Sequence, residues 1–387
     1  MKIAKSVNRL GTEAVYNIFA KTKKLAQQGK KIIDLSLGQS DFKSPKHAVN
    51  ATIQALKDGH HGYTLPNGII ECREAVSRKI KSLYNANISP ERIVIMPGGK
   101  PTMHYAISFF GEPSAEIIYP DPGFPIYESM INYTGAKAVP FNLAENKDFS
   151  INPDKILSLI NEKTRLLILN NPNNPTGSFT EKTVIDKLAK GLINFPHVTI
   201  LSDEIYDRLI FDKKEIPTLF NYPDLYDRLI VLNGWSKTYA MTGWRLGWGV
   251  WPEQLIEHVF KFCVNNHSCV NTAAQYGAIA ALDGPEDHLH DMMGEFTIRR
   301  KLIVDGLRSL KGVECSLPGG SFFVFPNVKG TGMNGEEFTE KCLQEAGVAM
   351  IPGTAFGKFA TDHVRFNFAT SRENISKAIE KIDKILK

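Results

Sequence analysis

Residues 236–247 have the sequence Ser-Lys-Thr-Tyr-Ala-Met-Thr-Gly-Trp-Arg-Leu-Gly, which places one lysine and one arginine in a segment otherwise suited to burial. Burial favours the neutral form of an amine, so Lys237 is suited to act as a nucleophile that forms a Schiff base. The guanidinium of Arg245 stays protonated and suits a dianionic phosphate. The pair indicates pyridoxal 5'-phosphate (PLP). The alternative is a lysine whose ammonium reaches solvent beside a surface arginine.

The size of the chain predicts two domains, because 387 residues exceed what one hydrophobic core usually serves. Hydrophobic residues make up 43% and charged residues 22%, which is typical of a globular protein. The net charge of +5 is spread along the chain without a basic block. We therefore expect no nucleic-acid partner, and an anionic cofactor or substrate would account for the positive charge.

The cysteines and the first residues suggest where the protein resides. The five cysteines are odd in number and far apart, which is typical of free thiols in a reducing compartment. Residues 1–11 lack the apolar core of a signal peptide, and no apolar run is long enough to cross a bilayer. These features predict a cytoplasmic protein without a membrane partner.

From about residue 92, short β-branched runs alternate with helical patterns, which predicts an α/β fold with a mostly parallel sheet. The candidate strands are residues 92–96, 116–119, 165–169, 198–202, 228–232 and 246–250. After residue 286 a long amphipathic stretch leads to a smaller α+β unit, with strands expected at 313–328, 347–351 and 363–368. A final helix is predicted to begin with a capping box of Thr370 and Glu373.

Polar residues follow several of these strands, where ligands bind in open α/β sheets. Gly98, Gly99 and Lys100 precede a helical pattern and would offer backbone N–H groups to a phosphate, although such a pair often only forms a turn. Asp203 follows a buried-looking run and could keep a pyridine nitrogen protonated, while Tyr206 could donate to the ring oxygen. The alternatives are an N-capping aspartate and a half-buried tyrosine.

A third loop, residues 170–177, has the sequence Asn-Asn-Pro-Asn-Asn-Pro-Thr-Gly. With the segments above, in this order, it makes the chain resemble a class I aminotransferase of the fold-type I PLP family, from about Gly38 to Arg365. The resemblance implies a large domain at residues 46–288 with a mostly parallel seven-stranded sheet between helices. It also implies a small domain at residues 289–387 and an N-terminal arm at residues 1–45 that forms part of the small domain.

The resemblance also implies roles around the cofactor. Lys237 would form the Schiff base and transfer a proton, Asp203 would pair with the pyridinium, and Tyr206 and Asn174 would hydrogen-bond the ring oxygen. Phe124 would stack on the ring. The residues implied to hold the phosphate are Gly99, Lys100, Ser236 and Arg245. No metal is expected.

For the substrate, Arg365 matches the family's binder of the α-carboxylate, and Gly38 and Asn174 line the same group. Tyr63 matches a tyrosine that reaches the phosphate of the neighbouring subunit, so the resemblance implies a homodimer with shared active sites. Lys100 favours aspartate or glutamate, whereas Glu13 near a substrate carboxylate would oppose that preference. A broad substrate range therefore stays open.

The implied reaction is ping-pong transfer of an amino group from an L-amino acid to a 2-oxo acid such as 2-oxoglutarate. Two departures from the family pattern stand out: Ser40 replaces a proline, and Gly234 replaces a serine that in many relatives stands three residues before the lysine. A β-lyase or a decarboxylase of the same fold is the alternative. A dinucleotide-dependent oxidoreductase is disfavoured because the chain lacks the glycine fingerprint. A DNA-binding regulator is disfavoured because the first 45 residues offer only one amphipathic segment, at residues 13–28, which is too little for a helix-turn-helix domain.

Overall fold

The computed structural model describes residues 1–12, 14–144, 148–212 and 216–387. Its strands are β1 (Ile33–Asp34), β2 (Ile93–Met96), β3 (Glu116–Asp121), β4 (Lys137–Asn142), β5 (Thr164–Asn170), β6 (Thr199–Asp203), β7 (Leu229–Gly234), β8 (Gly247–Val250), β9 (Phe323–Val324), β10 (Val348–Ala349), β11 (Ile351–Pro352) and β12 (Val364–Asn367). Its α-helices are α1 (Ala14–Gln27), α2 (Lys46–Lys57), α3 (Ile70–Tyr84), α4 (Lys100–Phe110), α5 (Ile126–Thr134), α6 (Pro153–Leu159), α7 (Lys182–Leu192), α8 (Ile256–Asn266), α9 (Thr272–Asp283), α10 (Asp287–Ser309), α11 (Gly335–Lys341) and α12 (Arg372–Leu386).

The principal sheet has seven strands in the order β2-β8-β7-β6-β5-β3-β4. Only β8 runs antiparallel to its neighbours, which confirms the predicted mostly parallel α/β sheet. Strands such as β2 are buried along their whole length, which explains why they are continuous apolar runs rather than alternating patterns. The six predicted strands match the observed ones to within two residues at each end.

Strand β4 was not predicted, because it forms the edge of the sheet. Most of its residues are only partly buried, and Pro140 lies within it, so its sequence lacks the apolar run of the central strands. Its register with β3 pairs Asp121 with Asn142.

The region after residue 286 contains α10 and α12, a three-stranded sheet in the order β11-β12-β9, and β10, which pairs with β1 from the N-terminal segment. The prediction of one strand over residues 313–328 is wrong. Only Phe323 and Val324 form a strand there, since Pro318 and two glycines turn the chain towards the backbone of Gly177. The helix cap also differs from the prediction: the Ser371 hydroxyl, rather than that of Thr370, accepts the hydrogen bond from the Asn374 N–H at 3.1 Å.

Two hydrophobic clusters cover the faces of the principal sheet, and a third joins α10, α12 and the small strands with Leu35 and Tyr206. The domain boundaries at residues 45/46 and 288/289 stay predictions. Within the described parts of the chain, none of the helices is both long and apolar enough to span a bilayer.

The parallel strands bring their carboxyl ends to one edge of the sheet. Asp121, Asn170, Asp203 and Gly234 end four of these strands, and the turn at Gly98 follows β2. Residues far apart in sequence therefore meet at this edge, which is where a ligand site is expected.

Candidate active site

A pocket of about 290 Å³ opens at the carboxyl edge of the sheet. All the predicted site residues except Tyr63 line it: Gly38, Gly99, Lys100, Phe124, Asn174, Asp203, Tyr206, Ser236, Lys237, Arg245 and Arg365. The Tyr63 side chain is fully open to solvent at 93% relative exposure and does not line the pocket.

Lys237 lies three residues beyond the end of β7, and its side chain is partly buried. Its Nζ donates a hydrogen bond to the Gly38 carbonyl oxygen at 2.6 Å. It also lies 5.5 Å from the Phe322 ring centroid and 5.8 Å from that of Tyr206. A side chain at Gly38 would come within 3.2 Å of the Phe323 ring, so glycine allows this close approach. The amine is thus oriented by a backbone carbonyl and lies beside two aromatic rings that contact each other.

Asp203 provides a buried carboxylate on the pocket wall. Oδ2 accepts a hydrogen bond from the Tyr127 hydroxyl at 2.6 Å, and Oδ1 accepts one from the Ile205 N–H at 3.2 Å. Burial raises the pKa of Asp203 to about 6, although both hydrogen bonds and the charge of Lys237 oppose that shift. A further N–H donor or cation in the pocket would therefore stabilise the ionised carboxylate.

Tyr127 is a site residue that the sequence analysis missed. It is fully buried, and both burial and the neighbouring carboxylate raise its pKa well above the ordinary value, so it stays a hydrogen-bond donor. Its position three residues after Phe124, in the first turn of α5, was the available signal, and the two rings pack edge to face with their centroids 5.8 Å apart.

One end of the pocket is suited to an anion. Gly98 has φ +91° in the turn between β2 and α4, and a side chain there would lie 2.1 Å from Arg245 Nη2. Arg245 adopts a left-handed backbone and donates to the Thr242 carbonyl oxygen at 2.7 Å. The N-terminus of α4 and the Arg245 guanidinium therefore lie together, and the Ser236 hydroxyl lines the same pocket, a combination that favours phosphate.

Arg365 projects from β12 and is only 3% exposed. Its Nη1 donates to Asn174 Oδ1 at 2.9 Å, and its Nη2 donates to the Ser36 carbonyl oxygen at 2.6 Å. The guanidinium carbon lies 4.3 Å from the Phe323 ring centroid and 4.8 Å from that of Phe356. These contacts orient a guanidinium fork beside the pocket, which suits a carboxylate ligand.

Near the rim, Lys100 Nζ lies 5.5 Å from the Phe124 ring centroid. Other lining residues were not predicted as part of the site: Tyr16, Leu37, Gln39, Met103, Asn170, Ile205, Leu232, Thr242 and Phe323. Tyr16 lies on α1. The amphipathic pattern of this helix predicts which residues are buried, but it does not predict that Tyr16 lines the pocket. Glu13, predicted to lie near a substrate carboxylate, falls outside the described residues.

Known proteins share both this sequence and this fold. Residues 30–382 match the family described as "Aminotransferase class I and II". The chain belongs to this family. It is 37% identical to the probable aspartate aminotransferase of Methanocaldococcus jannaschii, with 91% of this chain and 93% of the relative covered. It is 34% identical to aromatic-amino-acid aminotransferase 2 of Thermococcus litoralis, with 94% of each chain covered.

Among solved structures, the aspartate aminotransferase from Rhizobium meliloti superposes with a TM-score of 0.95 at 28% identity, covering 100% of this chain and 99% of that one. These findings confirm the predicted family, the fold class and the enzyme class. The protein is a PLP-dependent aminotransferase that uses an amino acid and a 2-oxo acid. The alternative of a β-lyase or a decarboxylase finds no support among them.

Proposed function

We propose that this enzyme transfers the amino group of an L-amino acid to a 2-oxo acid such as 2-oxoglutarate, with PLP bound covalently through Lys237. One observation carries the proposal: the Lys237 amine, the Asp203 carboxylate and the Arg365 guanidinium all line a single pocket. Aminotransferase chemistry uses these three kinds of group, for the cofactor aldehyde, its ring nitrogen and the substrate carboxylate respectively.

The donor set of the pocket fits PLP. The Asp203 carboxylate, which burial makes costly to ionise, suits the protonated nitrogen of the ring. The α4 N-terminus at Gly99 and Lys100, with Ser236 and Arg245, would hold the phosphate. Phe124 offers an aromatic face to the ring, while Tyr206 and Asn174 would donate to the ring oxygen. When bound, PLP supplies an electron-withdrawing ring that stabilises negative charge at the substrate Cα.

Two residues of the chain would perform the remaining steps, which are proton transfer and substrate binding. Lys237 Nζ, which the Gly38 carbonyl oxygen orients, would take the proton from the substrate Cα and deliver it to the C4' atom of the cofactor. Arg365 would bind the α-carboxylate through its guanidinium fork, because Asn174 and Ser36 hold that fork in place. The two substrates would occupy the same pocket in turn, as in a ping-pong sequence.

Three finer features belong to the proposal. Lys100 at the rim favours an acidic side chain on the substrate, as aspartate and glutamate have. The exposed Tyr63 is available to reach the phosphate of a second copy, which supports a homodimer with shared active sites. The five cysteines are all free thiols, which supports the cytoplasm as location.

The test is a panel of amino acids mixed with enzyme, PLP and 2-oxoglutarate, with the new 2-oxo acids and any released ammonia identified by mass spectrometry and enzymatic assay. We expect 2-oxo acids to form without ammonia, and Lys237→Ala to abolish turnover while retaining the fold. Lys182→Ala, on helix α7, is the control and should retain wild-type turnover, because Lys182 does not line the pocket. Turnover retained by Lys237→Ala would refute the role of Lys237.

A further inference from the structure

Asp121 is a buried carboxylate at the end of β3 that does not line the pocket. It is 1% exposed, and its oxygens accept backbone hydrogen bonds from the N–H groups of Lys358 at 3.1 Å and Phe359 at 3.4 Å. Burial raises the pKa of Asp121, and these two backbone hydrogen bonds oppose the shift. The carboxylate therefore joins the principal sheet to a loop that lies more than two hundred residues later in sequence.

Two glycines bring the backbones together at this junction. Gly357 has φ +141°, and a side chain there would lie 1.9 Å from Asp121 Oδ1. On the other side, the N–H of Gly123 donates to the Phe356 carbonyl oxygen at 2.8 Å. The turn at residues 121–125 and the loop at residues 353–359 are thus connected by hydrogen bonds in both directions.

Each side of this junction leads to a residue of the proposed active site. Phe124 directly follows Gly123 and lines the pocket. Phe356 directly precedes Gly357, is 4% exposed, and packs its ring 4.8 Å from the guanidinium carbon of Arg365. A change at Asp121 would therefore reach the guanidinium through one loop and one aromatic ring.

We infer that Asp121 is a positioning residue for Arg365: by holding the backbone of residues 357–359 it fixes Phe356 beneath the guanidinium, and so sets the affinity for carboxylate substrates. The inference rests on the proposed function, in which Arg365 binds the substrate α-carboxylate. Asp121 itself touches neither substrate nor cofactor. Its loss should weaken substrate binding while leaving the chemistry at Lys237 and the phosphate end intact.

The experiment compares Asp121→Ala and Asp121→Asn with Glu116→Gln in the PLP-loaded enzyme. Glu116 begins the same strand, and its carboxylate bonds Lys137 and Asn161 at the opposite end of β3, so it is a matched control. We expect Asp121→Ala to raise KM for the amino acid and for the 2-oxo acid about tenfold, with kcat and PLP affinity changed less than about threefold. Asp121→Asn should raise KM less, because its amide oxygen still accepts one N–H hydrogen bond. Glu116→Gln should leave KM, kcat and PLP affinity unchanged.

A double variant separates positioning from general destabilisation. If Asp121 acts through Arg365, Asp121→Ala should have no further effect on KM in an Arg365→Ala background. A full, independent effect in that background would overturn the inference. If Arg365→Ala alone leaves KM unchanged, the proposed function of Arg365 fails instead, so the two failures are distinguishable.

A readout without turnover completes the test. Amide hydrogen exchange at Lys358 and Phe359 should be at least about tenfold faster in Asp121→Ala than in Glu116→Gln. Gly357→Ala places a methyl group against the Asp121 carboxylate and should also raise KM. This variant replaces Asp121→Ala in the test if Asp121→Ala does not fold. Unchanged exchange in Asp121→Ala, or an unchanged KM in a folded Gly357→Ala, would overturn the inference.

Discussion

Asp203 is a buried carboxylate, and ionising it in the folded protein costs stability. It receives hydrogen bonds from Tyr127 and Ile205, yet burial still raises its pKa to about 6. The described structure thus holds a carboxylate that its own surroundings only partly stabilise. Such a group is typical of a site that a ligand completes.

This residue predicts a pH dependence of stability. The folded-state pKa of Asp203, about 6, exceeds the ordinary value of 3.8, so between these pH values the folded protein binds more protons than the unfolded chain. Stability without cofactor should therefore fall as the pH rises through this window. Between pH 5 and 7.5, the free energy of unfolding should fall by about 1 kcal/mol more in wild type than in Asp203→Asn. Urea unfolding at both pH values measures this, and equal changes in the two proteins would contradict it.

Lys100 predicts substrate selectivity at the same scale. A single accessible ion pair contributes about 0–1 kcal/mol, so Lys100→Ser should lower kcat/KM for aspartate and glutamate by up to about fivefold relative to methionine and phenylalanine. Steady-state kinetics with the four amino acids measures this, with Lys182→Ser as control. Equal losses for all four would mean that Lys100 serves only the phosphate, and the proposed acidic preference would then be withdrawn.

At the scale of elements, the junction of β2 and α4 combines a left-handed glycine with a helix N-terminus. Gly98 has no room for a side chain because the Arg245 guanidinium lies against it. The close approach keeps the guanidinium beside the first turn of α4, where both would meet the same phosphate.

Gly98→Ala should therefore lower PLP affinity by at least about tenfold, because the added methyl group displaces Arg245 and strains the backbone. The control is Gly294→Ala in the middle of α10, where a side chain would meet nothing within 4 Å. That change should instead stabilise the protein by about 0.5–1 kcal/mol, since alanine favours a helix. Equilibrium titration with PLP and thermal unfolding compare Gly98→Ala with Gly294→Ala. A wild-type PLP affinity in Gly98→Ala would contradict the proposed role of the β2–α4 junction.

At the scale of the whole molecule, Tyr63 stands apart from the pocket that all the other predicted site residues share. The proposed homodimer explains this separation, because a second copy would bring its own Tyr63 to the phosphate end. The site would then be complete only in the assembly.

Hybrid dimers test this arrangement. Mixing equal amounts of Tyr63→Ala and Lys237→Ala should restore one intact site in each hybrid, giving about a quarter of wild-type activity after random reassortment of subunits. The control mixes Asp203→Ala with Lys237→Ala. These two residues line one pocket of the same chain, so no activity should return. Verified Tyr63 and Lys237 hybrids without activity would show that Tyr63 does not act across the interface.

Local sequence determined the elements and the chemistry of this protein. The apolar runs of the central strands and the polar residues at their ends predicted the α/β fold, and the family resemblance that the order of the motifs carries implied most of the pocket. These features depend on neighbouring residues, and parallel strands bring their ends together in any such sheet.

The tertiary structure alone decided how distant segments meet. It pairs Tyr127 with Asp203 across 76 residues, and it connects Asp121 to the loop at 357–359. It also adds the edge strand β4, divides residues 313–328, and places the helix cap at Ser371. Packing, sheet order and the backbone hydrogen bonds of other segments set these features, and none of them leaves a periodic pattern in the local sequence.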